Sequence, residues 1–207
     1  MVNYKISIPD PHNHQFFIEI LVTPESKQDI QIFLPNWIPG SYMIRDFAKH
    51  VLELEVHDDR QQLQVEVLNK SRFNIQHNNR PFTISYKYYA FDLSVRKAYL
   101  DQEYGFINPC SALFCVEQQQ DEACQVELVK PTHPALMDWR PATGLNPVGH
   151  ESCFNWDKYQ AKNYIELTDY PVLFGDLDLA EFKVENVPHY LITVGRHFGD
   201  LERVAKD

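Results

Sequence analysis

The amino-acid sequence predicts an all-β protein built as an antiparallel β-sandwich, and three observations carry that expectation. Apolar residues recur with period 2 through most of the first two thirds of the chain, which is the pattern of strands buried on one face. Clusters of turn-forming residues separate these runs at short intervals. No helical pattern of ordinary length occurs before the last ten residues, so a βαβ arrangement is disfavoured. With 207 residues, 44% of them hydrophobic and 13% aromatic, the chain has enough apolar surface for a sizeable core.

In chain order, Tyr4, Ile6 and Ile8 form the first alternating run, closed by Pro9-Asp10-Pro11. Phe16, Ile18, Ile20 and Val22 share one face of the second, with Phe17 and Leu21 as exceptions, and Pro24-Glu25-Ser26 ends it. Leu52, Leu54 and Val56 alternate with Glu53 and Glu55 before the turn Asp58-Asp59-Arg60; Leu63, Val65 and Val67 then alternate with Gln64 and Glu66. After Asn78-Asn79-Arg80-Pro81 come Phe82, Ile84, Tyr86 and Tyr88, and Val126 with Leu128 completes about six amphipathic strands. The polar turn Thr168-Asp169-Tyr170-Pro171 is expected to close the sandwich, giving one domain over residues 1–168 and the start of another over 169–207. In that second part, strands are predicted at Glu181 to Val184 and Tyr190 to Val194. Asp200 is placed to cap a helix whose Leu201, Val204 and Ala205 lie at i, i+3 and i+4. A helix of two turns is marginal alone, so the chain is expected to be truncated within a domain, with its torn edge after Pro171 prone to self-association.

Composition excludes several classes of function. Nineteen Lys and Arg against 29 Asp and Glu give a formal charge of −10, which repels a nucleic-acid backbone. No run approaches the roughly 20 apolar residues of a membrane span, and the N-terminal segment lacks the features of a signal peptide, so a cytoplasmic location without membrane contact is expected. Cys110, Cys115, Cys124 and Cys153 form no CxxC pair and are expected to be reduced. With only 7 Gly, there is no phosphate-binding glycine loop. His12 and His14 read as surface turn histidines. His150-Glu151 begins like a zinc helix but continues Ser152-Cys153-Phe154, leaving no second histidine. Asp58-Asp59 and Asp121-Glu122 lie in polar turns, and no nucleophile elbow is present. The sequence therefore supplies no catalytic set and no metal ligands of its own.

Two stretches are denser than plain hairpins require. In the first, Trp37, Pro39, Gly40, Ser41, Tyr42, Arg45 and Asp46 are expected to make a structural corner. Trp37 and Tyr42 would be largely buried at the core edge, and Arg45 would make charge-assisted bonds to carbonyls or Asp46. The second runs from Tyr99 to Phe114, where Gly105 and Pro109 frame a loop.

The run WIPGSYMIRDFAKHV resembles the signature of the amino-terminal domain of the glycyl aminopeptidase family of zinc metallopeptidases. The order of the later segments is also similar to that family: VRKAYLDQEYGFINPCSALF, then Trp139 to Leu145, YIELTDYPVLFGD and FKVENVPHYLITVGRHFGDLERVAKD. The resemblance implies a β-sandwich followed by a thermolysin-like zinc domain carrying HExxH, often with a PDZ domain beyond it. These 207 residues lack HExxH, so they are expected to form the non-catalytic amino-terminal domain with a short β/α stub, inactive by itself and without a cofactor, zinc being expected in the full-length enzyme. In the intact protein its partners would be the catalytic domain of the same polypeptide and a peptide substrate, whose cleft the sandwich would wall on one side. By analogy, the loop bearing Tyr104, Gly105, Phe106, Asn108 and Ser111 would face that cleft, with Asn108 as a hydrogen-bonding group or the loop simply packing between domains. The competing reading of the aromatic content is an independent module binding carbohydrate or a protein partner.

Overall fold

A computed structural model describes residues 1–38, 40–195 and 198–206. A seven-stranded sheet carries β1 (Val2–Ser7), β2 (Gln15–Val22), β4 (Val51–Asp58), β7 (Phe82–Tyr89), β11 (Cys124–Leu128), β13 (Asn146–Pro147) and β14 (Lys158–Ala161), in the order β13-β14-β11-β1-β2-β7-β4. A second sheet contains β3 (Ile30–Phe33), β5 (Val65–Asn69), β6 (Arg72–Ile75) and β10 (Cys115–Val116), ordered β10-β3-β6-β5. The third has β8 (Ala98–Leu100), β9 (Tyr104–Ile107), β12 (Arg140–Thr143) and β15 (Val172–Gly175), ordered β12-β15-β9-β8. Among the described residues, β16 (Leu177–Val184) and β17 (Val187–Val194) pair only with each other. The helices are short: α1 (Pro109–Ala112), α2 (Tyr164–Thr168) and α3 (Leu201–Val204), the last capped as expected by Asp200, whose carboxylate accepts from the Arg203 N–H. The protein is thus the all-β sandwich that the alternation predicts.

The periodicity is cleanest where a strand has neighbours on both sides. In β2 the predicted inward set Phe16, Ile18, Ile20 and Val22 is fully buried, and in β7 so are Phe82, Ile84, Tyr86 and Tyr88. At the sheet edges it fails. The register of β4 shifts between Leu52 and Glu55, with Glu53 at φ 51°, and this bulge turns Leu52 outward although it shares the predicted apolar face. In β5, the edge of the second sheet, Val67 points to solvent. One pairing departs from the antiparallel rule, since β1 runs parallel to β11 with Ile6 opposite Leu128.

Between β9 and the second sheet, residues 109–116 cross the core with every residue buried. A buried connection must find partners for its backbone polar groups. Tyrosines supply three of them: Tyr86 donates to the Ala112 carbonyl at 2.7 Å, Tyr164 to that of Leu113 at 2.7 Å and Tyr4 to that of Phe114 at 2.9 Å. Phe114 in turn meets Phe73 of the second sheet and Tyr86 of the first edge to face, at ring separations of 5.6 and 5.1 Å.

The Thr168–Pro171 turn, read from the sequence as the end of the sandwich, is followed by β15, which is hydrogen-bonded between β12 and β9. Its Val172 and Phe174 are buried, and the Phe174 ring stacks on Trp156 at 5.5 Å. The two strands predicted beyond it form the β16–β17 hairpin, joined through Glu185 and Asn186 at φ 50° and 68°. Leu177 and Ala180 of β16 are buried, whereas β17 is partly or wholly exposed along its length. Gly175 sits beneath this hairpin, and a Cβ there would fall 2.4 Å from Val194 Cγ2.

Tyr86→Phe keeps the buried ring and strands the Ala112 carbonyl, so it is expected to cost about 1–3 kcal/mol, measured by urea denaturation with an unchanged m-value.

Candidate functional site

The 36–46 corner is built differently from its expected form. Its core anchors are Ile38 and Phe47, both buried, at the two ends of the loop. Trp37 is 53% exposed and Tyr42 is fully exposed, together with Met43 and Ile44. The expectation that Trp37 and Tyr42 fill the core edge is therefore corrected. Internal bonds hold the loop, and its apolar side chains face solvent. Ser41 is the hub: its carbonyl accepts from Trp37 Nε1 at 2.8 Å, and its hydroxyl donates to the Met43 carbonyl at 3.0 Å while receiving Arg45 Nε at 3.2 Å. Arg45 thus bonds a hydroxyl and not Asp46, whose carboxylate lies 3.7 Å from Lys70 Nζ instead. Gly40 adopts φ 77°, a left-handed conformation that disfavours a side chain, and Pro39 lies outside the described residues.

A second loop joins this corner. Residues 91–95 present Phe91, Leu93 and Val95 to solvent, and Arg96 of the same loop donates to the Gly40 carbonyl at 3.3 Å. Lys97 pairs with Asp92, whose carboxyl is held below its ordinary range chiefly by that bond. Desolvation, with Lys49 and Lys97 adding to it, pushes the His50 imidazole down, so it is neutral at pH 7 and packs as an aromatic ring against Tyr88 and Tyr89. The result is an exposed apolar surface drawn from two loops, with the guanidiniums of Arg45 and Arg96 bonded to a hydroxyl and a carbonyl within it. Phe91, Leu93 and Val95 are the residues that sequence reasoning missed. Their signal was the alternation in Phe91-Asp92-Leu93-Ser94-Val95, which reads as one more strand but is spent on an exposed loop.

The five candidates of the second stretch fall into two groups. Tyr104 and Phe106 are half-buried on β9, and Tyr104 extends a ring ladder in which His14 meets Phe91 at 4.1 Å, Phe91 stacks on Tyr99 at 5.3 Å and Tyr99 on Tyr104 at 4.9 Å. Gly105 and Ser111 are buried, Gly105 against Leu100 and Phe174 and Ser111 with its hydroxyl donating to the Asn108 carbonyl at 2.8 Å. Asn108 is fully engaged in holding the fold. Its Oδ1 caps α1 by accepting from the Cys110 N–H at 3.1 Å, and its Nδ2 donates to the Val95 carbonyl at 3.2 Å, tying the second loop to the core.

The cysteines nearest in sequence to this region lie in the core. Burial pushes the thiols of Cys110, Cys115 and Cys124 up to about 12. His150, the start of the incomplete zinc motif, faces the Lys158 carbonyl at 3.2 Å and the Tyr159 ring edge-on.

The fold is a β-sandwich, and comparison with known proteins places it among the N-terminal domains of a peptidase family. The profile of the Peptidase M61 N-terminal domain matches residues 3–176. A crystal structure of an aminopeptidase N family protein from Idiomarina loihiensis superposes with a TM-score of 0.94 at 38% identity, covering 100% of this chain and 34% of that one. An M1 zinc metallopeptidase from Deinococcus radiodurans superposes with a TM-score of 0.52 at 8% identity, covering 99% of this chain and 50% of that one, a likeness of fold alone. No match was found among curated proteins. The chain belongs to the peptidase M61 N-terminal domain family, and it spans about a third of the length of the Idiomarina protein.

This geometry sets two expected outcomes. Trp37→Ala should change the unfolding free energy by about 1 kcal/mol or less, as for a surface position, which chemical denaturation will test. Three thiols titrate near 12 in the folded chain and near 9 when unfolded, so the unfolded state loses protons first. Their contribution is complete below pH 9 and is lost as pH rises from 9 towards 12. Urea midpoints should accordingly fall across that window, and less steeply in a Cys115→Ala variant.

Proposed function

We propose that this chain is the non-catalytic amino-terminal sandwich of a glycyl-aminopeptidase-like zinc metallopeptidase, and that its apolar corner seats the catalytic domain and walls one side of the peptide cleft. The single observation that carries this reading is the exposure of Trp37, Tyr42, Met43 and Ile44 beside Phe91, Leu93 and Val95. Exposed apolar side chains on two loops bonded to each other through Arg96 and the Gly40 carbonyl mark a contact site. The occupant we assign is the remainder of the same polypeptide, because the chain corresponds to only 34% of the Idiomarina structure it matches. β15 belongs to the sandwich by its pairing, so we place the domain boundary near Asp176, with the β16–β17 hairpin leading towards the catalytic part.

Zinc is the metal this family membership implies. Residues around His150 do not fit it, since the ring faces a backbone carbonyl and no second histidine stands one helical turn away. No step of a reaction is therefore assigned to this chain. What its residues do is exclude water and restrict access: a wall of aromatic and aliphatic groups admits an extended peptide against it and turns away folded protein. We place the enzyme in the cytoplasm, a reading supported by burial of Cys110, Cys115 and Cys124 as thiols.

The test compares the chain alone with the full-length enzyme by hydroxyl-radical footprinting. Residues 37–44 and 91–95 should be labelled at least fivefold less in the full-length protein, while Val67 is labelled equally in both. Equal labelling of the corner in both would refute the assignment. Gly- and Ala-peptide turnover should be found only in the full-length enzyme, and Leu93→Asp should reduce its kcat/KM.

A further inference from the structure

The parallel pairing of β1 with β11 sends the loops at their ends out of the sheet side by side. Ile6 stands opposite Leu128, and the Val129 N–H donates to the Ile6 carbonyl at 2.9 Å, so the register holds to the ends of both strands. Asp10 and His12 lie four and six residues beyond Ile6, and His133 five beyond Leu128. Their side chains converge although 121 residues separate the two histidines. One donor atom from each of Asp10, His12 and His133 lies within 4.8 Å of the others, and the two imidazole centroids are 5.5 Å apart.

Both loops are stiff. Pro11 and Pro131 are buried and fix the backbone where the loops leave the sheet. Asp10 is positioned by the turn it caps: its Oδ1 accepts from the His12 N–H at 2.9 Å and from His12 Nδ1 at 2.8 Å, and its Oδ2 from Asn13 Nδ2 at 3.2 Å. His133 caps the turn at Pro134–Leu136 through Nδ1, which accepts from the Ala135 N–H at 3.2 Å. His14, the histidine that the sequence places beside His12, is committed elsewhere, with Nδ1 against the Leu100 carbonyl at 2.6 Å.

We infer that Asp10, His12 and His133 form a surface site for a divalent transition-metal ion, with zinc(II) as the best match to two imidazoles and one carboxylate. Donors around tetrahedral zinc at about 2.1 Å stand about 3.4 Å apart. Asp10 Oδ1 and His12 Nδ1, at 2.8 Å, therefore open by about half an ångström, and the His133 donor, within 4.8 Å of both groups, closes by little more than an ångström at most, movements within reach of partly exposed side chains. The ion takes the place of the proton shared by His12 Nδ1 and Asp10 Oδ1, and water fills the remaining position. Coordination through His133 Nε2 puts that ring's proton on Nδ1 and so competes with the Ala135 bond, which at 3.2 Å is a weak rival. Bound there, the metal clips the β1–β2 turn to the loop after β11, adding a link between segments far apart in sequence. The site departs from the expectation that this chain holds no metal of its own, because a search for closely spaced ligands along the sequence cannot reveal a pair made by a parallel sheet.

The test is calorimetric titration of zinc chloride into the metal-stripped 207-residue chain, with thermal unfolding followed in parallel. We expect one equivalent bound and a rise in Tm on saturation. His12→Gln and His133→Asn should each weaken binding at least tenfold; asparagine preserves the cap at 133, so this variant is expected to fold as the parent does. His189→Gln, in the exposed hairpin, should leave affinity unchanged, and calcium should not substitute for zinc, since it prefers an all-oxygen shell. Absence of heat and of a Tm shift at millimolar zinc, equal binding by the His12 and His133 variants, or equal binding of calcium would each overturn the assignment.

Discussion

Three tyrosine hydroxyls holding three successive carbonyls are the constraint on which this sandwich depends. Residues 109–116 pass through the core as one helical turn, two residues of irregular backbone and a two-residue strand, a buried path that leaves carbonyls in need of partners. Tyr4 from β1, Tyr86 from β7 and Tyr164 from α2 reach the carbonyls of Phe114, Ala112 and Leu113. The first two belong to the large sheet and the third to the segment that returns to the third sheet, so the crossing chain is bound to both. Desolvation drives the ionisation of all three phenols well above the ordinary tyrosine range, keeping each a neutral donor throughout the physiological range. A phenylalanine at any of these positions would pack equally well and leave a buried acceptor unmet.

The same segment sets the shape of the exposed corner. Asn108 begins it, and this one side chain both caps α1 and grips the Val95 carbonyl. Val95 belongs to the loop whose Arg96 holds the Gly40 carbonyl, and Gly40 belongs to the corner. A chain of bonds therefore runs from the buried tyrosines to the apolar surface, which is consequently presented on a braced support. Little conformational entropy remains to be lost when a braced surface meets its partner, so its aromatic groups contribute more of their burial to association.

What could be read from the sequence divides along physical lines. β2 and β7 were legible because central strands keep one face wholly in the core, and every second side chain must then be apolar. β4 and β5 were less so, since an edge strand tolerates the bulge at Glu53 and the outward Val67. The corner shows the limit of composition: a tryptophan and a tyrosine suggest a core, yet Ile38 and Phe47 occupy it and the larger rings remain outside. Asn108 likewise reads as a free amide in a loop, and only the folded arrangement reveals that both ends of its side chain are in use.

The acidic charge of the chain bears on what can approach these surfaces. With a formal charge of −10, the molecule repels acidic partners at long range, while within the corner Asp92 is paired with Lys97 and the guanidiniums of Arg45 and Arg96 bond a hydroxyl and a backbone carbonyl. Association there rests chiefly on apolar contact and shape, with the two guanidiniums beside it. Such contact is insensitive to salt, unlike a charge-steered encounter, and it has no need of steering when the partner is tethered by the same polypeptide, because linkage supplies a high effective concentration. A braced, mainly apolar surface is therefore suited to a neighbour in the same chain, which linkage keeps close without any long-range attraction.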